Sequence, residues 1–530
     1  MSAAARLLAG FFTVGAWTML SRVFGFARDM AIAAILGAGP VAEAFFVAFT
    51  LPNLFRRFFA EGAFNTAFVP LFAARLEGDG REHARRFAED AFAGLATVLI
   101  VLTLVAQAAM PWLVLALASG TADDARFTLA TDLGRIVFPY ILAISLAALL
   151  SGVLNSLGRF AAAAAAPVLL NVILIAALAG AWATAPEGAA VDGITPAQRA
   201  AGTWLAWGVV AAGIAQLALV WWAAARAGLP VVPRRPRLTP ELRQLAIIAA
   251  PAALAGGVMQ INLVIGRQVA SYWEGAIGWL WLADRVYQLP LGLIGVAIGV
   301  VLLPTLARHL RAGDARAALD AQARSAEFAL ALTLPATAAL LAMPGLVVAV
   351  LFERGAFTAG DTQATALALA VYALGLPAFV LAKVLQPAFF ARHDTRSPLR
   401  YAAWSMLANL VVAVGAIPLI GWLAAPAGAV AAAWLQLALL WQGARRIEGA
   451  TAPDPRLARR WPRMLAASVI MGAAVFALAS LAEDLPPATA ALALAGIVAA
   501  GMATYALACT ALGAYRPADL KAALRRRKSG

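Results

Sequence analysis

Apolar runs of about 20 residues recur along the whole chain, each long enough to span about 30 Å of hydrocarbon. In lipid, each backbone polar group must be satisfied within its own segment, so such runs restrict the fold to a bundle of transmembrane helices. β-Barrel strands would alternate in polarity instead. The runs fall near 7–36, 40–60, 87–118, 133–157, 161–184, 202–226, 243–272, 276–306, 324–352, 364–391, 399–420, 423–444, 462–482 and 488–512. The expected fold is therefore an all-α polytopic membrane protein with about fourteen transmembrane helices. Composition agrees, with 63% of the 530 residues hydrophobic and 13% charged.

The net charge of +14 raises the question of nucleic acid. The arginines, however, sit in short connections between spans, as positive-inside topology requires, so no nucleic-acid partner is expected. Every second connection is basic. One holds Arg75, Arg81, Arg85 and Arg86, and another Arg226, Arg234, Arg235 and Arg237. The later ones hold Arg308 and Arg311, Arg392 and Arg396, and Arg445 through Arg463. Those between are neutral or acidic, as at Asp123-Asp124, Glu187 with Asp192, Glu353 with Asp361, and Glu483-Asp484. This alternation predicts cytoplasmic N and C termini. The first run is long and internally charged, which predicts a retained anchor and not a cleaved leader. Cys509 is the only cysteine, so no intramolecular disulfide can form. His83, His309 and His393 lack metal-site spacing, and no metal site is expected.

The chain also repeats itself. Pro139 and Pro377, Asn171 and Asn409, and Leu51-Pro52 and Leu289-Pro290 are each separated by 238 positions. AMPWLVLAL from Ala109 resembles AMPGLVVAV from Ala342, and VPLFAARL (69–76) resembles LPTLARHL (303–310). Six runs precede the second copy, so the copies share one orientation and are parallel repeats. The expected organisation is an N-lobe at 1–236, a C-lobe at 237–449, and two further helices with a basic tail at 450–530. The lobes are expected to flank a central cavity. Pro52 and Pro290, inside their helices, are candidate hinges.

Charge within the apolar runs is costly, about 2.5–3.5 kcal/mol per residue near the bilayer centre. Arg22, Arg28 and Asp29 lie in the first run, Glu43 in the second, Asp284-Arg285 in the eighth and Lys383 in the tenth. Such residues face a wet cavity, a partner or an anion. Asp29 is expected to form a salt bridge and Arg28 to face the cavity. Arg56 closes the second run, where snorkelling and function are both open. Asp284 and Arg285 are neighbours that point apart on a helix, which favours separate partners. For Lys383 a structural partner and a pore role are both open. The charges of the spans are not shared between repeats: Arg285 aligns with Val47 and Lys383 with Ser145. Phe64, Phe68, Leu71 and Phe72 predict an interfacial amphipathic helix. Arginine suits a phosphorylated substrate, because its planar fork grips phosphate oxygens and stays charged. No P-loop, nucleophile elbow or aspartate-rich Mg²⁺ motif occurs, which disfavours a membrane-bound transferase or phosphatase.

SRVFGFARD (21–29), GAGPVAEAFFVAFTLPNLFRRFFAEGAFNTAFVP (37–70), FPYILAISLAALLSGVLN (138–155) and ADRVYQLPLGLIGVAIGVVLLPTL (283–306) closely resemble the bacterial lipid II flippases of the MurJ or MviN family. The resemblance covers at least the first twelve runs. It implies the multidrug/oligosaccharidyl-lipid/polysaccharide exporter fold and export of a polyprenyl-diphosphate-linked disaccharide-pentapeptide across the bacterial inner membrane by alternating access. It implies functional roles for Arg22, Arg28, Arg56 and Arg285 and an acidic position at Glu43. The four arginines are therefore expected to bind the diphosphate in the central cavity, with Asp29, Glu43, Asn53, Asp284 and Lys383 as gating or charge partners. It implies lipid II, membrane lipids and the cell wall synthesis machinery as partners, and a lipid-tail groove on the last two helices. The alternatives are an exporter of another polyprenyl-linked oligosaccharide, a multidrug antiporter and, third, a membrane-bound transferase.

The chain departs from the family in carrying glutamate at position 43, where relatives have aspartate, and Gln288, where some have glutamate. Some members bind sodium through carboxylates, where this chain offers Asn262, Ser405 and Asn409. No cofactor is expected, and sodium coupling is not expected.

Overall fold

The computed structural model describes residues 3–56, 63–237, 239–258, 260–447, 454–482 and 485–515. Arg57, Glu61, Glu483-Asp484 and the tail at 525–528 lie outside the described residues. The described residues are predominantly helical, and among them the only β pairing is an isolated bridge between Val191 and Ile194.

The first eight helices are α1 (Ala3–Leu36), α2 (Pro40–Arg56), α3 (Ala63–Gly78), α4 (Gly80–Ala118), α5 (Ala125–Val137), α6 (Tyr140–Ser156), α7 (Ala161–Ala183) and α8 (Pro196–Arg226). Then come α9 (Pro240–Val258), α10 (Ile261–Ala270), α11 (Ala276–Arg311), α12 (Ala315–Ala342), α13 (Pro344–Phe352) and α14 (Ala359–Phe390). The last are α15 (Arg396–Gly415), α16 (Ile417–Ile420), α17 (Ala424–Arg445), α18 (Pro455–Ser480) and α19 (Pro487–Ala511). Over the described residues, each apolar run lies on one helix or on a consecutive pair. By length and composition alone, eight described helices can cross a membrane, or nine if the bent pair α5–α6 is one span. α2 has only 17 residues, and the 243–272 run is divided between α9 and α10.

Local chemistry sets the ends. Asp124 caps α5 by accepting from the Arg126 N–H at 2.8 Å. Thr195 and Gln198 form a capping box at α8, with Pro196 at the first helical position. Thr358 and Asp361 do the same for α14. The 40° bend between α5 and α6 falls at Phe138-Pro139. Its repeat mate Pro377 lies inside the unbroken α14, and Pro52 and Pro290 lie inside α2 and α11.

The helices gather into two compact units, one of residues 1–278 with 354–357, the other of 279–353 with 358–530. The expected lobe boundary at 236/237 follows the duplication, whereas the compact units divide at 278/279. The reason is packing. α9 lies on α3 and α4, and α10 on α4, so the seventh run belongs by contact to the first unit. A Cβ on Gly94 of α4 would stand 2.8 Å from Leu242 of α9.

Inside the first unit, α8 approaches its neighbours through small residues. A Cβ on Gly202 would come within 2.6 Å of Val41, and one on Gly213 within 2.7 Å of Tyr140. Small residues allow such close backbone approach, which in lipid supplies the packing that hydrophobic contrast cannot. Phe68 and Phe72 of α3 are fully buried, stacked on each other, and Phe68 stacks on Phe87 of α4. This corrects the expected interfacial helix at Phe68 and Phe72, which are covered by protein, while Leu71 is half-buried and the side chain of Phe64 lies outside the described ones. In the second unit, α15 packs on α17, α14 on α17 and α12, and α18 on α12 and α19.

Candidate functional site

Arg28 is 6% exposed and Asp29 1%, both within α1. The guanidinium folds back on its neighbour: Nε and Nη2 donate to Asp29 Oδ1 at 3.0 and 2.7 Å. Nη1 donates to Asn171 Oδ1 of α7 at 2.9 Å, and Asn171 Nδ2 donates to the Ser21 carbonyl at 3.0 Å. Gly25 lies beside this amide, where a Cβ would stand 3.4 Å from Asn171 Nδ2, an ordinary contact. The expected salt bridge of Asp29 exists, and the adjacent arginine takes part in it. Neighbouring side chains diverge on a helix, but the long arginine stem curls back. Asn171 marked the duplication in the sequence; its role as the second ligand of Arg28 was not foreseen. Arg22 is exposed one and a half turns earlier, and Arg56, at the end of α2, is partly buried.

Glu43 is 1% exposed. Its Oε2 pairs with Arg126 Nη1 at 2.9 Å, and its Oε1 accepts from the Ile277 N–H at 2.9 Å. Arg126 also pairs with Asp124 at 2.6 Å. Sequence reasoning missed Arg126, which stands beside an acidic loop and outside the apolar runs. Nearby in chain order, Asn53 donates to the Phe49 carbonyl at 2.7 Å, one turn back in α2.

In the second unit, Arg285 lies over the Trp281 ring, 4.6 Å from its centroid. Asp284 accepts a hydrogen bond from Gln288. Lys383 is exposed on α14. Ser405 and Asn409 are buried on α15, Ser405 donating to the Tyr401 carbonyl at 2.8 Å, whereas Asn262 is exposed on α10. A Cβ on Gly428 of α17 would lie 2.5 Å from Asn409 Oδ1, so this amide faces α17 whereas its repeat mate faces α1.

Two further carboxylates were not singled out in the sequence. Glu89 of α4 is fully buried. It pairs with Arg234 at 2.8 Å and Arg85 at 3.2 Å, and accepts from the Val232 N–H at 3.2 Å. Glu327 of α12, 4% exposed, pairs with Arg324, Arg460 and, at 3.2 Å, Arg456.

Long apolar helices with arginines and carboxylates paired in their interiors define a multi-pass helical membrane protein. Comparison with known proteins narrows the class. The family model described as "Lipid II flippase MurJ" matches residues 32–494. A "Probable lipid II flippase MurJ" of Rhizobium meliloti (strain 1021) is 48% identical over 506 residues, covering 94% of this chain and 92% of that protein. A "Lipid II flippase MurJ" of Burkholderia cenocepacia is 35% identical over 468 residues, with 87% of each chain covered. The chain therefore belongs to the MurJ family. Its fold is similar to a solved structure described as "Lipid II flippase MurJ, inward closed conformation", with a TM-score of 0.76 at 22% identity over 94% of this chain and 98% of that one. It is also similar to an inward-facing MATE family transporter of the MOP superfamily, with a TM-score of 0.65 at 13% identity over 83% of this chain and 98% of that one.

Proposed function

We propose that this protein is a lipid II flippase, a transporter and not an enzyme, that moves the polyprenyl-diphosphate-linked disaccharide-pentapeptide from the inner to the outer leaflet for cell wall synthesis. The observation that carries the reading, beside family membership, is Arg28. It is a cation buried within a membrane helix and held by Asp29 and Asn171. A diphosphate bears about two negative charges and cannot enter hydrocarbon unaided, since even one buried charge costs several kcal/mol. Arginines replace its hydration with directed N–H donors. Arg22, Arg28 and Arg56 of the first unit, and Arg285 of the second, are the residues proposed to bind the headgroup. Glu43, Asn53, Asp284 and Lys383 are proposed charge partners, and Pro52 and Pro290 proposed hinges. The protein is proposed to lie in the inner membrane with both termini cytoplasmic, its last two helices holding the lipid tail and the cell wall synthesis machinery as its partners.

The test is depletion of the protein in cells, with the lipid-linked intermediates measured on each leaflet. Lipid II should accumulate on the inner leaflet. Accumulation of a different polyprenyl-linked sugar, with lipid II distributed normally, would refute the reading. In complementation, Arg28→Ala and Arg285→Ala should each abolish or severely reduce export while the protein still reaches the membrane. Lysine at either position should restore it only in part, having lost the bidentate fork.

A further inference from the structure

Glu89 and Glu327 are 238 positions apart, the same spacing that relates Pro139 to Pro377 and Asn171 to Asn409. Arg86 and Arg324 repeat at that spacing too. The duplication thus carried a glutamate with it, which corrects the expectation that no charge of the spans is shared between repeats, and in both copies that glutamate is buried. Each occupies a helix that begins at a basic connection: α4 in the first unit and α12 in the second.

What each glutamate holds is the segment by which the chain leaves that half. Glu89 takes Arg234 and the Val232 N–H, both in the connector between α8 and α9. Arg81 of α4 adds a bond to the Ala227 carbonyl at 3.2 Å. Glu327 takes Arg456 and Arg460, both in the first turns of α18, while its neighbour Arg324 pairs with Asp454, the residue that caps α18. Even the helices so reached begin alike. Thr239 caps α9 by accepting from the Leu242 N–H at 3.2 Å, and Asp454 caps α18 by accepting from Leu457 at 2.7 Å, each followed by proline.

A buried carboxylate without cations would be strongly destabilising, so each glutamate demands its arginines. That demand is directional. The carboxylate sits on a helix packed within its unit, with Arg85 or Arg324 beside it on the same helix, whereas Arg234, Arg456 and Arg460 lie on a segment that follows the last helix of the repeat. We propose that Glu89 and Glu327 are repeat-equivalent latches, one fixing the connector that joins the two six-helix halves, the other fixing the start of the added helix pair α18–α19. The same inherited carboxylate thereby serves two different loads. In the second half this gave the extra helices a ready docking point: Arg460 continues from Glu327 to lie over the Tyr515 ring, 5.2 Å from its centroid, and Arg463 donates to the Gly513 carbonyl at 2.9 Å.

The test is hydrogen exchange of the full-length protein in lipid nanodiscs, followed by mass spectrometry of its peptides. Glu89→Gln should raise exchange about tenfold in peptides covering 229–237 and leave those covering 454–463 unchanged. Glu327→Gln should do the reverse. Arg234→Gln should reproduce the effect of Glu89→Gln, and the double variant should exchange no faster than either single. Should Glu89→Gln not yield folded protein, Glu89→Asp, which keeps the charge and withdraws it by one methylene, should loosen the same peptides by a smaller factor. The proposal is overturned if either glutamine variant leaves its own segment protected, or if it loosens both segments equally. Additive effects of Glu89→Gln and Arg234→Gln would also overturn it.

Discussion

Glu43 and Arg126 show what pairing means for a single residue in this protein. Both are buried, and each has the other within 2.9 Å. Removing one partner leaves the other charge in a dry site, which costs about 3–5 kcal/mol. Replacing both with apolar or neutral groups of similar size removes the desolvation cost as well. Arg126→Ala should therefore lower the melting temperature in detergent far more than the double variant Glu43→Gln, Arg126→Met. If the double variant is as unstable as the single, the pair does not act as one unit. Asp29 and Glu43 were legible as acids inside apolar runs, a placement that demands a partner. Their partners were not legible in the same way. Arg126 lies 83 positions from Glu43 in an acidic connection, and no periodicity links the two. Asn171 is uncharged, so the cost of burying it raised no alarm.

Glycine decides packing at the scale of the helix. On α8, Gly213 admits the Tyr140 ring, and a Cβ there would stand 2.7 Å from Tyr140 Cδ2. Gly213→Leu should push α8 off α6 and destabilise the first unit by about 1–3 kcal/mol, the usual cost of overpacking. Gly345 on α13 offers the control, since a Cβ there meets nothing within 4 Å. Gly345→Ala should be neutral or stabilising by up to about 1 kcal/mol through helix propensity. Thermal unfolding of both variants checks the contrast, and equal melting temperatures would overturn it. The helices themselves were visible in the apolar runs, and their ends in residues such as Asp124, Thr195 and Pro196. Which glycines were merely small and which were touched was not visible, because contact depends on the facing helix. Phe68 and Phe72 were misjudged for the same reason: their stripe is amphipathic in sequence and is covered only once α4 stands beside it.

For the whole molecule, two expectations concern the membrane. The alternating arginine connections predict that Arg235→Cys, in a Cys509→Ala background, is shielded from an impermeant thiol reagent in intact cells. Glu187→Cys, on the opposite class of connection, should react. Both native side chains are exposed, so access to the reagent depends on the side of the membrane. Labelling of position 235 from outside would reverse the proposed orientation. The second expectation concerns energy. Asn262, Ser405 and Asn409 are neutral, and a site without carboxylates binds Na⁺ weakly. A potential of 100 mV, inside negative, is worth roughly 2.3 kcal/mol per charge on an outward-moving anion. Flipping in vesicles should therefore follow the potential and respond little to sodium. Strong stimulation by a sodium gradient at zero potential, lost in Asn409→Ala, would show coupling at α15.

The amino-acid sequence alone determined that this chain is a helical membrane protein, where its helices run, that it is internally duplicated, and to which family it belongs. Those properties follow from hydrophobic length and from local or repeated patterns, which survive in one dimension. Tertiary structure decided which charges meet: Arg28 with Asn171, Glu43 with Arg126, Glu89 with Arg234 and Glu327 with Arg460. It also decided that the seventh run packs within the first compact unit. A buried ion pair joins residues of any separation, because its free energy depends on distance and desolvation in the folded state, and neither has a period along the chain.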